Sequence, residues 1–250
     1  MNIEILENSV TVAKRAASIV AEEASEAVSA RRKFVMAVSG GHTPWLMLQD
    51  LASTGIPWNA VHIVQVDERV APEGHTDRNL THLRETLREA PIPPEQIYAM
   101  SVTSGDLELE AARYAATLAK IAGEPPVFDL VHLGLGPDGH TASLVPGDPV
   151  LHVDDADVSL SGPYQGRRRM TLTYPAINRA RKILWVVTGG EKVEMCRQFL
   201  AGNGSIPAGR IRRDRALVVA DRAATATAGS LIKEGVVCEL ESLPTMAGSL

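Results

Sequence analysis

Five short, nearly continuous apolar runs constrain this chain most: Phe34 to Val38, Val61 to Val66, Phe128 to Leu133, Ile183 to Thr188 and Ala216 to Ala220. They are rich in β-branched residues, and each ends at turn residues or a charge. Unbroken rather than alternating apolarity suits strands covered on both faces, as in a parallel sheet. Between them lie stretches with helical spacing: an Ala-rich amphipathic segment from Val10 to Ala30, Pro44 to Ala52, Asp77 to Glu89, Leu107 to Ile121 and Glu191 to Leu200. Alternating strand and helix signals predict an α/β fold, an open and mainly parallel sheet with helices on both faces. No repeat or long linker interrupts the 250 residues, so one domain over 1–250 is expected. Gly202-Asn203-Gly204-Ser205 reads as a loop, and the segment from Gly229 onward reads as a weakly patterned tail.

Charge and composition narrow the function. Lys plus Arg number 25 against 30 Asp plus Glu, a net charge of −5, and aromatic residues make up 4%. This excludes a general polyanion binder and leaves too few rings for a single-strand stacking platform. The two cysteines, Cys196 and Cys238, cannot form a disulfide framework or a four-thiolate zinc site, in keeping with a reducing compartment. No apolar stretch approaches the roughly 20 residues of a membrane-spanning helix, and the first residues lack the pattern of a signal peptide. A cytoplasmic protein with no membrane or nucleic-acid partner is expected.

In open α/β sheets ligands bind beyond the carboxyl ends of the strands, and three such ends carry unusual residues. The first is Ser39-Gly40-Gly41-His42-Thr43-Pro44. Its adjacent glycines can turn backbone N–H groups toward an anion, and the helix start behind them adds positive potential. An ordinary turn with Thr43 as helix cap is the alternative. The same stretch approximates a nucleophile elbow at Ser39, with Asp67 and His140 completing a triad order. Phe34 to Val38 is the first strand signal, however, and several strands normally precede such an elbow.

The second strand end is Asp67-Glu68-Arg69 with Pro72, His75, Asp77 and Asn79. Asp67 and Arg69 abut a buried strand and are candidates to orient a ligand. A surface ion pair is the simpler reading of Glu68, and a helix cap that of Asp77. The third is Gly134-Leu135-Gly136-Pro137-Asp138-Gly139-His140-Thr141-Ala142-Ser143-Leu144. It satisfies a dinucleotide fingerprint in form, with Asp154 or Asp155 near the later acid, but Asp138 would oppose a pyrophosphate and Pro146 ends the stretch too soon. His140 stands where a phosphate loop needs Lys. What remains is a turn displaying an Asp and a His, and a neutral His can take a proton from water. The seven histidines show no metal signature. Downstream, Arg167-Arg168-Arg169 and Lys192, after Thr188-Gly189-Gly190-Glu191, could meet an anionic substrate. A solvated face for the arginines and a Glu191–Lys192 surface pair are the alternatives.

Together, from about residue 10 to about 228, these segments resemble the 6-phosphogluconolactonase family. The matching pieces are the Ser39 to Pro44 turn, Asp67 to Asn79, Leu133 to Leu144, Arg169-Met170-Thr171-Leu172-Thr173, the Thr188 to Lys192 turn and Pro207-Ala208. His42 and Arg78 depart from the usual Ser or Thr and Ser, which bears on phosphate contacts. The resemblance implies hydrolysis of 6-phospho-D-glucono-1,5-lactone to 6-phosphogluconate in the pentose phosphate pathway, without cofactor or metal. His140 would activate water, with Asp138 and Asp67 orienting polar groups and Arg69 stabilising developing charge or holding the sugar. Ser39, Gly40, Gly41, His42 and Thr43 would cradle the phosphate, with Arg169 and Lys192 as cations. Glucosamine-6-phosphate deaminases share the scaffold but place a Glu five residues after the His, where this chain has Val145. A sugar-phosphate-binding regulator is a further alternative; its mark would be loss of His140 or Asp138. The resemblance leaves the oligomeric state open, with a monomer compatible.

Overall fold

The computed structural model describes residues 1–228; the expected tail from Gly229 and Cys238 lie outside the described residues. In chain order the elements are β1 (Asn2–Leu6), α1 (Ser9–Arg31), β2 (Phe34–Val38), α2 (His42–Ala52), β3 (Val61–Gln65), β4 (Asp67–Arg69), α3 (Asn79–Thr86) and β5 (Ile97–Tyr98). Then follow α4 (Leu107–Ala122), β6 (Leu130–Leu133), β7 (Val158–Tyr164), β8 (Arg167–Leu172), α5 (Tyr174–Asn178), β9 (Lys182–Val187), α6 (Val193–Leu200) and β10 (Ala216–Asp221). Seven strands form one sheet in the order β1-β10-β9-β6-β2-β3-β5, and every pairing in it is parallel.

The continuous apolar runs arise because successive residues of one strand feed opposite layers. Phe34, Met36 and Val38 of β2 pack with Ile63, Leu184 and Val219 beneath α1, α2 and α3. Val35 and Ala37 point the other way and join Val131, Leu133, Trp185 and Val218 against Leu118 of α4 and Phe199 of α6. The helices are delimited locally. Asn8 caps α1 by accepting from the Val10 and Thr11 N–H groups, and Thr11 accepts in return from the Asn8 N–H. Asp106 caps α4 through the Leu109 N–H.

Five strands lie outside the expected set. β1 precedes β2, so Phe34–Val38 is not the first strand. β1 is an edge strand whose Glu4 breaks its apolar run; β5 is only two residues long. The other three make a separate antiparallel sheet, β4-β8-β7. Only one face of it meets the apolar core, so β8 alternates: Met170 and Leu172 enter the core while Arg169 and Thr171 face the other way. A charged triplet at the start of such a strand hides it from a search for continuous apolarity. The chain enters this sheet in one step, because Val66 alone separates β3 from β4 and is held by bonds from its N–H to the Val38 carbonyl and from the Leu172 N–H to its own carbonyl. That step places Asp67 and Arg69 beside the ends of β2 and β6.

Candidate active site

The loops after β2, β6 and β9, the last residue of β10 and strands β4 and β8 surround a cavity of about 440 Å³ at the carboxyl end of the sheet. All eleven residues singled out from the sequence are brought together: ten line it, namely Ser39, Gly40, Gly41, His42, Thr43, Asp67, Arg69, His140, Arg169 and Lys192, and Asp138 bonds directly to His140.

The His140 turn is sewn to itself. The Gly136 N–H donates to the His140 carbonyl at 2.8 Å, and the Thr141 hydroxyl donates to the Gly134 carbonyl at 2.8 Å. The segment then closes into a small bridge between Thr141 and Leu144, so no dinucleotide-type helix follows. Gly136 is required sterically: a Cβ there would lie 2.0 Å from His140 Nδ1. The imidazole occupies that space with Nδ1 2.5 Å from Asp138 Oδ1. Burial pushes the Asp138 pKa up, but the hydrogen bonds and charge of His140 and the Tyr164 hydroxyl outweigh it, and the result lies well below the ordinary carboxylate range. An ionised Asp138 can only accept, so Nδ1 is the nitrogen that donates to it, and in the neutral imidazole that tautomer leaves the lone pair on Nε2.

Asp67 is buried and fixed by three neighbours. Ser143 Oγ donates to its Oδ2 at 2.6 Å, Asn79 Nδ2 donates to its Oδ1 at 3.2 Å, and Arg169 Nη1 lies 4.0 Å from Oδ2. Arg69 donates from Nη1 to the Asp77 carbonyl at 2.8 Å. Arg169, 3% exposed, stacks its guanidinium 4.9 Å from the centre of the Tyr164 ring; burial and the charge of Arg69 lower its pKa, and Asp67 opposes them. The Nε atoms of Arg69 and Arg169 are buried without a protein partner. Two arginines with unused donors beside one cavity suit an anionic ligand.

At the other strand ends, Gly41 takes φ +135° as N-cap of α2 and supplies no side-chain cap, which leaves the first helical N–H groups open to the cavity. Thr43 does not cap the helix; its hydroxyl shares a 2.7 Å bond with Thr188. Lys192 makes no ion pair among the described residues. Burial lowers its pKa, and the charges of Glu191 and Asp221 work against that shift. The surface-pair alternative for Lys192 is therefore set aside. The solvated-face alternative holds for Arg168, which reaches out to Glu108, and fails for Arg169.

Several readings change. Glu68 is not a surface ion pair: it is fully buried and accepts from Gln65 Nε2 and from the N–H groups of Arg69, Asn79 and Leu80. It thereby caps α3, the role read for Asp77, whose carboxylate instead pairs with Arg167 at 3.0 Å. Arg78 does not line the cavity; its Nε lies 3.0 Å from Glu68 Oε2 without directing its N–H there, an ion pair rather than a hydrogen bond. Ser39 is no nucleophile in this arrangement. Its hydroxyl donates to the His132 carbonyl at 3.1 Å, while Asp67 and His140 are engaged with Ser143 and Asp138. Tyr164, whose hydroxyl bonds to Asp138 and whose ring packs edge-on against His140, is a neighbour of the dyad that sequence reasoning did not find.

The glucosamine-6-phosphate isomerases/6-phosphogluconolactonase family profile matches residues 7–219. The chain belongs to this family. It is 37% identical over 195 residues to a 6-phosphogluconolactonase of Synechocystis sp., covering 76% of this chain and 81% of that protein. It is 34% identical over 246 residues to a 6-phosphogluconolactonase of Mycobacterium tuberculosis, covering 90% and 97%. The three-dimensional structure of 6-phosphogluconolactonase from Trypanosoma brucei superposes with a TM-score of 0.80 at 25% identity, over 90% of this chain and 97% of that one.

Proposed function

We propose that this protein hydrolyses 6-phospho-D-glucono-1,5-lactone to 6-phosphogluconate. The observation that carries the reading is the Asp138–His140 dyad, whose Nε2 is the free base of a cavity also lined by Arg69, Arg169 and Lys192. His140 Nε2 takes a proton from water as the oxygen adds to the C1 carbonyl. Asp138 stabilises the imidazolium that forms, and Arg69 meets the negative charge developing on the carbonyl oxygen. Collapse breaks the bond from C1 to the ring oxygen, and the imidazolium returns its proton to that oxygen. The open product then ionises as a carboxylate. Asp67, held by Ser143 and Asn79, orients sugar hydroxyls. The phosphate rests on the Ser39 to Thr43 turn and the α2 N-terminus, with Lys192 and Arg169 supplying charge.

The family profile also spans sugar-phosphate isomerases, but the position where the deaminases carry an orienting Glu is Val145, buried and apolar. Here the imidazole is oriented by Asp138 instead. The test is an assay on freshly made lactone, corrected for spontaneous opening, beside ammonia release from glucosamine 6-phosphate. Lactone hydrolysis should dominate, and His140→Gln should lower kcat about 10²- to 10⁴-fold while leaving 6-phosphogluconate affinity intact. Faster ammonia release, or a folded His140→Gln protein with wild-type turnover, refutes the proposal.

A further inference from the structure

The β7–β8 hairpin carries a register shift that decides which side chain reaches the dyad. Ser161 pairs with Arg169 and Tyr164 with Arg167, so three steps on β7 oppose two on β8. The extra residue is a β-bulge at Gly162-Pro163, anchored by the Gly162 N–H donating to Asp148 Oδ2 at 2.8 Å. Side chains alternate along a strand, so without the bulge Tyr164 would point to the face opposite Ser161 and Arg169. With it, Tyr164 shares their face. The following residues, Gln165 at φ 51° and Gly166 at φ 77°, form the tight two-residue turn that returns the chain into β8.

In that position Tyr164 touches both halves of the chemistry. Its hydroxyl donates to Asp138 Oδ2 at 3.0 Å, leaving Oδ1 for His140. Its ring meets the imidazole edge-on, centroids 5.1 Å apart at 62°, and its other contact is the stacked Arg169 guanidinium. Resting on the lactonase reading above, we infer that Tyr164 is a positioning residue for that reaction: its hydroxyl fixes the Asp138 carboxylate so that the dyad keeps His140 Nε2 aimed into the cavity, and its ring ties the dyad to Arg169. Burial and the Asp138 charge raise the Tyr164 pKa, so the phenol stays a donor at neutral pH.

Tyr164→Phe keeps the ring and removes the bond to Asp138, together with the longer 3.4 Å approach of the hydroxyl to His140 Nδ1. The groups bonded to or packed on the imidazole are Asp138 and Tyr164, with Arg169 behind the ring. The other ionisable groups lining the cavity, His42, Asp67, Arg69, Glu191, Lys192 and Asp221, make no hydrogen bond to it among the described residues and are unchanged in the variant. Without the phenol, the Asp138 carboxylate loses one of its donors, and its bond to the His140 Nδ1–H changes in strength and geometry. The Nδ1–H proton resonance of His140, followed by NMR in substrate-free protein, should therefore move away from its wild-type position. In the lactonase assay kcat should fall about 10-fold with KM nearly unchanged, the scale of one lost hydrogen bond to a charged group. The NMR comparison reads the coupling even if the protein turns over a different substrate, so failure of the lactonase reading is seen separately. Superimposable His140 resonances with wild-type kcat overturn the inference. So does a fall in melting temperature alone, or a rise in KM alone, which would make Tyr164 a packing or a binding residue.

Discussion

His132 makes acid stability a quantitative test of how the Ser39 to Thr43 turn is held. It lies in β6, fully buried, and clamps Ser39 twice: its carbonyl accepts the Ser39 hydroxyl at 3.1 Å and its Nδ1 accepts the Ser39 N–H at 3.3 Å. An imidazolium there would lose the acceptor and carry a charge with no counter-ion, and burial pushes its pKa from the ordinary 6.5 down to about 3. Because the folded value lies below the unfolded one, the unfolded chain binds the extra proton between them. Stability is intact above pH 6.5 and is lost as pH falls toward 3, by at most about 1.4 kcal/mol per pH unit. Between about pH 7 and about pH 5 the loss is about 2 kcal/mol. His132→Asn offers an acceptor near the Nδ1 position and does not titrate. It should be less stable than wild type at neutral pH, because it leaves a cavity, yet lose about 2 kcal/mol less on acidification. Urea unfolding of both proteins at the two pH values gives the double difference, in which the cavity term and every other titrating group cancel. Equal acid losses in the two proteins would show that His132 is not the neutral clamp described.

Three further outcomes are expected. Lys192→Ala should raise KM about 10- to 100-fold with kcat within a few-fold, the loss of one charge-assisted phosphate contact, as read from initial rates with lactone. Gly136→Ala should leave a folded protein with kcat reduced at least about 10²-fold, because the new Cβ would sit 2.0 Å from His140 Nδ1 and drive the imidazole off Asp138; retained activity would refute the close-approach role of this glycine. Arg78→Ser should cost about 3 kcal/mol in urea unfolding, since Glu68 stays buried without its counter-charge, and should leave KM unchanged because Arg78 does not reach the cavity.

What the sequence made legible were features with a local signal. The five runs from Phe34 to Ala220 became the five central neighbours of the large sheet, because a strand buried on both faces must be apolar at every position. The Gly-rich strand ends could be placed at one cavity without coordinates, because parallel strands present their carboxyl ends together. Glu68 was misread for the converse reason. A Glu between Asp and Arg carries no mark of burial, and its partners are backbone N–H groups of a helix that begins eleven residues later.

Tyr164 was out of reach for a subtler reason. Its place in the site depends on parity: one inserted residue at Gly162-Pro163 turns a side chain destined for the opposite face toward Arg169 and Asp138. A Gly-Pro pair signals irregular backbone but not which strand it interrupts, and Arg167-Arg168-Arg169 disguises the partner strand as a solvated run. The pairing Ser161–Arg169 is what converts the pattern into geometry, because only a known register tells which face each later residue occupies. The His140 motif sets the proposed base within a few contiguous residues. The hairpin inferred to steady it is specified by a bulge, a tight turn and a register, none of which lies near His140 in the sequence.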